Sequence, residues 1–332
     1  MTPQRVAAFS WVFALVLCLG SARGDADAAW PVTDDTGARL SLVKPAARII
    51  SLAPGATEML FAAGAGDRIV ATVRDADTPE AAKKIPRIGD ANAIVFEKLF
   101  ALQPDAIVIW EDLTNRVLVD SLRKLKIPLY SVRAKRLSDI PASVRRLGVL
   151  AGTQAVAVPA AAALDRKLAA IDTRRPQGEP MRVFYMIWAE PLYTIGSRHI
   201  ISDAIRRCGG RNIFDDIDFP APVVEFEVIV KRNPDLILMS APPITARDWR
   251  ERWQRFTTIH AVATRQVLSY PDVRLDRMGP SAIDAVSGLC EIMQQAATAQ
   301  AAAKVAKTQA AMPQAAMPQA AMPPAATKNP PR

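Results

Sequence analysis

Two glutamates, Glu97 and Glu227, hold the same position in a segment that occurs twice in the 332-residue chain. The copies cover residues 96–109 and 226–239, and in each the glutamate follows a phenylalanine and precedes a Pro-Asp pair by seven residues. Apolar residues at helical spacing predict a helix before the Pro-Asp pair, and the apolar run after it predicts a buried strand. A carboxylate in the first turn of a helix can interact with the helix N-terminus or pair with a cation on a partner. The repeat therefore predicts two similar α/β lobes with one such glutamate each.

Residues that could hold a metal or perform catalysis are few. The chain has two histidines, His199 and His260, and neither is spaced with cysteines as in a zinc site or set beside a nucleophile as in a hydrolase. His199 lies in a loop, where it could be an axial ligand to the metal of a macrocycle or a histidine hydrogen-bonded to the backbone. No Gly-x-x-x-x-Gly-Lys-Ser/Thr motif occurs, which excludes a P-loop ATPase. We therefore expect neither a metal site nor catalysis.

The first 28 residues have the features of a secretory signal peptide. Arg5 precedes an apolar run that is too short to span a bilayer comfortably, and the small-residue site Ala26-Asp27-Ala28 follows. A leucine precedes Cys18, where a lipoprotein signal requires a small residue, so we expect no lipid anchor. Export exposes the remaining pair, Cys208 and Cys290, to an oxidising compartment, where one disulfide is expected and two buried thiols are the alternative.

The charge and hydropathy of the chain argue against two classes of partner. The net charge is +9, but no basic stretch is interleaved with aromatic residues, so we do not expect nucleic acid binding. After the signal peptide, no apolar segment is long enough to form a transmembrane helix. The sequence thus indicates an exported, soluble product.

Strand and helix patterns alternate along the rest of the chain, which predicts parallel sheets with helices on both faces. An alanine-rich helix near residues 155–170 is expected to join the lobes as a single long connector, and Pro159 within it fits a helix that begins near Val158 or a kink. The repeated Gln-Ala-Ala-Met-Pro tail contains too little bulky apolar side chain to pack. The predicted organisation is a signal peptide (1–28), an N-terminal lobe (29–150), a connecting helix (151–178), a C-terminal lobe (179–303) and a disordered tail (304–332).

Several motifs follow the signal peptide in order: Arg48–Pro54 with Thr57-Glu58, the paired glutamate units, Cys208–Phe214 and Cys290. Together they resemble the motifs of the periplasmic binding proteins that serve cobalamin and iron-chelate ABC importers. The resemblance covers residues 47–292 and is strongest to the cobalamin-binding branch. It implies two lobes that open and close little, a ligand in the cleft between them, and a disulfide between Cys208 and Cys290. It also implies that Glu97 and Glu227 meet arginines on the two halves of a membrane permease.

The resemblance also suggests residues for the ligand site. Trp110 and Tyr193 match aromatic positions of the cobalamin branch, and Trp110 ends a predicted strand, where open α/β sheets place ligands. The chain departs from that branch at Arg74, Ala91 and Ala221, where aromatic residues are expected. The other side chains predicted to contact ligand are Trp188, which could replace part of the missing aromatic surface, and His199. Arg74, Arg198 and Arg277 are also predicted there, where they could bind carboxylate or phosphate groups.

The resemblance implies a monomeric, periplasmic solute-binding protein that captures a cobalamin-type corrinoid and passes it to an ABC permease dimer in the inner membrane. Haem or a ferric siderophore is the alternative ligand, which the altered aromatic positions and His199 or Tyr193 allow. An exported two-domain enzyme is a third hypothesis, disfavoured because the sequence assembles no acid, base and nucleophile. We therefore predict a binding protein with no covalent cofactor.

Overall fold

A computed structural model describes residues 30–90, 93–240 and 249–311. The predicted signal peptide, Ala91 and most of the predicted tail lie outside these ranges. The described chain forms two α/β lobes, which confirms the predicted fold class.

The N-terminal lobe contains a hairpin and a four-stranded parallel sheet. Its strands are β1 (Trp30–Thr33), β2 (Arg39–Leu42), β3 (Ile49–Ser51), β4 (Ile69–Thr72), β5 (Ala106–Trp110) and β6 (Leu129–Val132). Its helices are α1 (Pro54–Ala62), α2 (Phe96–Ala101), α3 (Arg116–Arg123) and α4 (Asp139–Ala151), with short 3-10 turns at Gly66–Arg68 and Glu80–Lys84. The sheet order is β4-β3-β5-β6, and the β1–β2 hairpin is separate from it.

Helix α5 (Gln154–Thr173) connects this lobe to the C-terminal lobe. The second lobe contains β7 (Met181–Ala189), β8 (Leu192–Thr194), β9 (Gly210–Asn212), β10 (Leu236–Met239) and β11 (Val267–Ser269). Its helices are α6 (Ile200–Arg207), α7 (Phe226–Arg232), α8 (His260–Ala263), α9 (Arg274–Arg277) and α10 (Pro280–Ala311). Strands β11, β10 and β7 are parallel, and β7 then pairs with parallel β9 near its start and antiparallel β8 near its end.

The repeated sequence segment forms the same structural unit in both lobes. Strand β5 follows α2 and pairs with β3, and β10 follows α7 and pairs with β7. In the first unit the Asp105 N–H donates to the Arg48 carbonyl at 2.8 Å, and its carboxylate accepts the Arg48 N–H at 2.9 Å. Asp235 makes the same two bonds to Arg182, at 2.8 and 2.9 Å. The Pro-Asp turn therefore ties the end of each helix to the start of the central strand.

Strand alternation divides the apolar core of each lobe into two layers. In β5, Ala106, Val108 and Trp110 pack into a cluster that extends through both lobes, whereas Ile107 and Ile109 pack on the outer face of the N-terminal sheet. In β7, Val183 and Tyr185 belong to the shared cluster and Phe184 and Met186 to the outer layer of the C-terminal lobe. The inner faces of the two sheets are thus turned toward each other.

Two long helices hold the lobes together. The connector α5 packs against α4, α1 and α10, and its buried side is the stripe Ala157, Ala161, Leu164 and Leu168. The crossing of α4 and α5 is close, since a Cβ on Gly148 would lie 2.3 Å from the Ala157 Cβ. Helix α10 contacts α1 of the first lobe and α6 of the second, so it joins the lobes rather than only closing one of them.

Three sequence expectations can be compared with these helices. Helix α5 begins at Gln154, and Pro159 lies inside it on its exposed side, which excludes one of the two alternatives for this proline, a helix that begins near Val158. Helix α10 extends to Ala311, so the first residues of the predicted tail are helical. Cys208 after α6 and Cys290 in α10, which are 82 positions apart in sequence, form a disulfide with Cα atoms 4.6 Å apart, as expected.

Candidate functional site

A cleft of about 650 Å³ lies between the lobes, at the carboxyl ends of the strands. Open parallel sheets bind ligands at this edge, because the loops that follow the strands converge there. The volume falls within the range of roughly 300–1,000 Å³ that is usual for small-molecule sites. The cleft lining is mainly apolar. It consists of Leu52, Ala53, Pro54, Gly55, Asp75, Trp110, Leu113 and Thr114 of the first lobe and Trp188, Val273, Asp276, Arg277 and Met278 of the second.

The N-terminal wall is a rigid apolar surface around Trp110. The indole ends β5 on its inner face and is 4% exposed, so it is held by the shared core. It packs beside the start of α1, where a Cβ on Gly55 would come within 3.1 Å of the Trp110 ring and 2.4 Å of the Arg277 carbonyl. Gly55 therefore permits a close approach between the two lobes at the floor of the cleft.

The C-terminal wall combines an exposed indole with a half-buried carboxyl group. Trp188 is 64% exposed, and the pairing of β7 with β8 shifts register between Met186 and Trp188, an irregularity that can re-aim side chains. Asp276 in α9 accepts hydrogen bonds from the Tyr185 hydroxyl at 3.1 Å and from the Ser240 hydroxyl. Burial raises the pKa of Asp276 above its ordinary value.

Arg277 reaches from the C-terminal wall into the first lobe. Its Nη1 donates to the Asp75 carbonyl at 2.9 Å and pairs with the Asp77 carboxylate. The hydrogen bond from Arg277 lowers the pKa of Asp77. Arg277 thus lines the cleft and also binds the opposite lobe. The Asp77 carboxylate largely neutralises the charge of its guanidinium in the absence of ligand.

A second ion pair crosses between the lobes. Arg198 of the C-terminal lobe contacts Asp112 at 3.1 Å, and Arg133 of the first lobe approaches the same carboxylate at 3.6 Å. Asp112 follows β5 closely, next to the cleft residue Leu113. Arg198 therefore acts as an interlobe contact in this structure and is not among the cleft-lining residues.

The structure brings together some of the residues predicted from sequence and separates others. Trp110, Trp188 and Arg277 line the cleft. Tyr193 pairs with Trp188 across the β7–β8 ribbon but does not line the cleft. Arg74 is mostly exposed, with its guanidinium 3.6 Å from the Asp90 carboxylate, so the geometry gives it no place in the cleft wall.

His199 is likewise absent from the lining. It is 6% exposed and stands at the N-cap of α6, where its Nδ1 accepts the Ile201 N–H at 3.2 Å. Burial lowers its pKa to about 4. The backbone hydrogen bond that sequence analysis kept as the alternative is present, and the geometry does not support axial ligation by His199.

Most of the cleft residues in the segment that follows β11 are not among those predicted from sequence. Val273, Asp276 and Met278 line the cleft, and Asp75 faces them from the first lobe. This segment forms only the short helix α9, and Met278 adopts a left-handed backbone with φ of 60°. A few residues between a strand and a long helix show no hydrophobic periodicity in the sequence. Only the packing of the two lobes against each other identifies them as cleft residues.

Glu97 and Glu227 lie on the same edge of the molecule as the cleft. Each sits in the first turn of a helix that leads into a parallel strand, α2 before β5 and α7 before β10. A helix that connects parallel strands runs antiparallel to them, so both helix starts lie at the carboxyl edge of the sheets. Both side chains are exposed, and neither has an ion-pair or hydrogen-bond partner among the described residues.

Two further observations concern metals and membranes. Within residues 30–90, 93–240 and 249–311, no group of three or more histidine, cysteine, aspartate or glutamate side chains is arranged to hold a metal ion. Over the same ranges, no helix combines the length and hydropathy needed to cross a membrane.

Comparison with known proteins links this architecture to a family. Residues 49–273 match the periplasmic binding protein family. The vitamin B12-binding protein of Vibrio cholerae serotype O1 is 32% identical over 252 residues, which cover 76% of this chain and 91% of that protein. The counterpart from Pectobacterium atrosepticum is 29% identical, with 76% of this chain and 90% of that protein covered.

Solved structures agree with the fold. The crystal structure of the periplasmic vitamin B12 binding protein of Vibrio cholerae matches with a TM-score of 0.69 and 32% identity, covering 76% of this chain and 98% of that one. A periplasmic heme-binding protein from Roseiflexus sp. RS-1 matches with a TM-score of 0.64 and 22% identity, covering 75% and 98%, and this similarity concerns the fold alone.

Proposed function

Because this chain belongs to the periplasmic binding protein family, we propose that it captures a cobalamin-type corrinoid between its two lobes and delivers it to the permease of an ABC importer. Family membership makes it a binding component of transport and not an enzyme. Relatives at about a third identity are vitamin B12-binding proteins, which supports the corrinoid as the ligand class.

The observation that carries the proposal is the pair of indoles on opposite walls of the cleft. Trp110 offers a rigid apolar surface from the first lobe and Trp188 an exposed ring from the second. A flat macrocycle requires broad apolar walls and a few polar groups at its periphery. Asp75, Asp276 and the Arg277 clasp provide such groups at the rim, and carboxylate oxygens can accept hydrogen bonds from amide substituents.

Delivery requires a surface that the permease recognises, and we assign this role to Glu97 and Glu227. Two exposed carboxylates, one on each lobe, fit a two-fold permease that presents a cation on each half, and charge complementarity sets encounter rate and register. Phenylalanines accompany both glutamates. Phe100 is 53% exposed in α2, and Phe256, 36% exposed, packs on Phe226 with ring centroids 4.0 Å apart. Each docking point would therefore combine a carboxylate with an apolar side chain.

The periplasm is the proposed compartment. The family is periplasmic, and the Cys208–Cys290 disulfide suits an oxidising environment. The signal peptide at residues 1–28 stays a prediction from sequence because those residues lie outside the described ranges. We expect the mature protein to act as a monomer, since one cleft and two docking points reside on one chain.

Haem or a ferric siderophore is the second candidate ligand. The observation in its favour is Met278, which lines the cleft and carries a thioether that can act as an axial ligand to haem iron. The acidic residues Asp75 and Asp276 disfavour haem, because they would face its propionate groups at the rim.

Titration calorimetry of the mature protein with cyanocobalamin and with haemin, accompanied by absorption spectra, tests the proposal. One-to-one binding of cyanocobalamin with little spectral change is the expected result. Haemin binding with a sharpened Soret band, lost in Met278→Leu, would assign haem instead. Binding of neither compound would refute the corrinoid assignment.

A further inference from the structure

Three arginines line a small pocket at the end of the C-terminal sheet opposite the cleft. Arg182 lies near the start of β7, Arg211 in β9 and Arg232 at the end of α7. Together with Ile213 they enclose about 200 Å³, and among the described residues no carboxylate belongs to this lining. We refer to these four residues as the arginine pocket.

The fold forces these like charges together. Arg182 and Arg211 are register partners on the parallel strands β7 and β9, so their side chains leave the sheet on the same face. Like charges directly opposite each other in a sheet are destabilising. The third guanidinium, that of Arg232, is fixed 4.5 Å above the Phe214 ring and donates to the Ile213 carbonyl. Such an arrangement is stabilised by an anion that contacts all three.

The carboxylates behind the pocket leave one guanidinium without a counter-ion. Asp216 pairs with Arg232 through two bonds of 2.6 and 2.9 Å, and this contact lowers the pKa of Asp216. Asp215 meets Arg211 at 3.3 and 3.5 Å. Among the described residues, the Arg182 guanidinium has no such partner, because the Asp235 carboxylate engages the Arg182 backbone N–H.

The N-terminal lobe provides a contrast at the equivalent position. Arg48 makes the same bonds to Asp105 that Arg182 makes to Asp235, yet its guanidinium donates from Nε and Nη2 to the Leu102 carbonyl at 2.9 and 2.7 Å. Arg48 thus satisfies the end of helix α2, whereas the Arg182 guanidinium has no hydrogen-bond acceptor among the described residues, and Arg182 lines the pocket with two further arginines.

We propose that the arginine pocket binds a small tetrahedral oxyanion of the phosphate class, either free or as the head group of a lipid. The planar fork of the Arg182 guanidinium can donate two parallel hydrogen bonds to such a group, and the N–H groups of Arg211 and Arg232 that do not bind Asp215 and Asp216 can donate to its other oxygens. The site is separate from the ligand cleft and does not depend on which ligand the cleft holds.

Phosphate binding to the full mature protein tests this site. We would measure thermal unfolding and calorimetric heats against inorganic phosphate, with ionic strength held constant by sodium chloride. Wild type is expected to be stabilised in a saturable manner, and Arg182→Gln and Arg211→Gln are expected to bind phosphate at least about tenfold more weakly. Arg116→Gln is the matched control, since it removes the same charge from a side chain that is 85% exposed in the other lobe.

A vesicle experiment distinguishes the two sources of the anion. Co-sedimentation with phosphatidylglycerol vesicles that depends on Arg182 and is competed by phosphate would support the lipid form of the site. Phosphate binding without vesicle binding would support the free oxyanion. The proposal is overturned if neither probe binds, or if Arg182→Gln and Arg116→Gln respond alike. Unchanged unfolding of Arg182→Gln in chloride alone verifies that the variant folds.

Discussion

At the scale of single residues, the two cleft indoles differ in how they are held. Trp110 belongs to the core that extends through both lobes, so replacing it by a small residue would remove structural packing as well as ligand surface. Trp188 is exposed and contributes little to the core. Variants at Trp188 therefore report on ligand contact more cleanly.

We expect Trp188→Ala to weaken corrinoid binding about tenfold, which corresponds to about 1.4 kcal/mol of lost aromatic contact, without lowering the melting temperature. Calorimetry measures the affinity, and thermal unfolding measures the melting temperature. Trp249→Ala removes a tryptophan of the same lobe that does not line the cleft, and its affinity should match wild type. Equal affinities of Trp188→Ala and wild type would exclude Trp188 from the ligand site.

His199 makes stability depend on pH. Burial lowers its pKa from 6.5 to about 4, so the folded protein keeps the imidazole neutral in that interval. Below pH 6.5 the unfolded chain binds a proton that the folded chain does not, and the free energy of unfolding therefore falls as the pH drops towards 4. Between a pH above 6.5 and a pH below 4, the contribution of His199 to the free energy of unfolding changes by about 3 kcal/mol.

Urea unfolding of wild type and His199→Asn across this interval measures that contribution. Asparagine retains a side-chain oxygen for the Ile201 N–H, so the cap is kept while the titration is lost. We expect the free energy of unfolding of wild type, relative to that of His199→Asn, to fall by about 3 kcal/mol as the pH drops from above 6.5 to about 4. The buried carboxyl groups Glu58 and Asp276, whose pKa values are raised by burial, titrate in both proteins and cancel in the difference. Parallel curves would contradict the assignment to His199.

At the scale of elements, the duplicated helix-turn-strand unit explains why one motif recurs. The Pro-Asp turn ends the helix, and the aspartate then fixes the following strand beside the central strand of its lobe. Both aspartates are thus structural, while the glutamates of the same units remain exposed. One repeated segment therefore combines a folding role with a proposed docking role.

Asp105→Ala and Asp235→Ala should each lower the free energy of unfolding by about 1–3 kcal/mol, because backbone N–H groups at the start of β3 or β7 lose their acceptor. The Asp105 substitution is expected to lower the free energy of unfolding more, since the Asp105 carboxylate accepts hydrogen bonds from the N–H groups of both Ala47 and Arg48. Chemical denaturation provides the measurement. Asp67→Ala, at an exposed aspartate in a 3-10 turn, serves as the control. A loss no larger than that of the control would show that the Pro-Asp turn does not anchor the strand.

At the scale of the whole molecule, the lobes are fixed relative to each other by several contacts around the cleft. The clasp of Arg277 on Asp77, the pair of Arg198 with Asp112, and the bond from the Ser281 N–H to the buried Glu58 at 3.1 Å all cross between the lobes. Helices α5 and α10 add apolar contacts behind them. We therefore expect the lobes to move little on binding.

Replacing both Glu97 and Glu227 by alanine is expected to abolish uptake of the ligand while leaving its affinity unchanged. The two side chains are exposed at the cleft edge but belong to neither wall, so only the contact with the permease should be lost. Uptake of labelled cyanocobalamin by cells, compared with calorimetry on the purified variant, separates the two effects. Loss of affinity in the variant would place the glutamates in the ligand site and refute docking.

The sequence by itself determined the order of the elements, the two lobes, the connecting helix and the equivalent positions of Glu97 and Glu227, because helix and strand periodicity, Pro-Asp turns and an internal repeat are local signals. It also identified Trp110, which ends a strand, and Trp188. Only the tertiary structure decided which side chains share the cleft. Arg277 and Asp77 meet across 200 positions of sequence, and Asp276 and Met278 come from a segment too short to carry a periodic pattern. The tertiary structure also places His199 in a buried helix cap and not in the cleft. The burial and the hydrogen-bond partner of this side chain depend on how the lobes pack and not on its residue type.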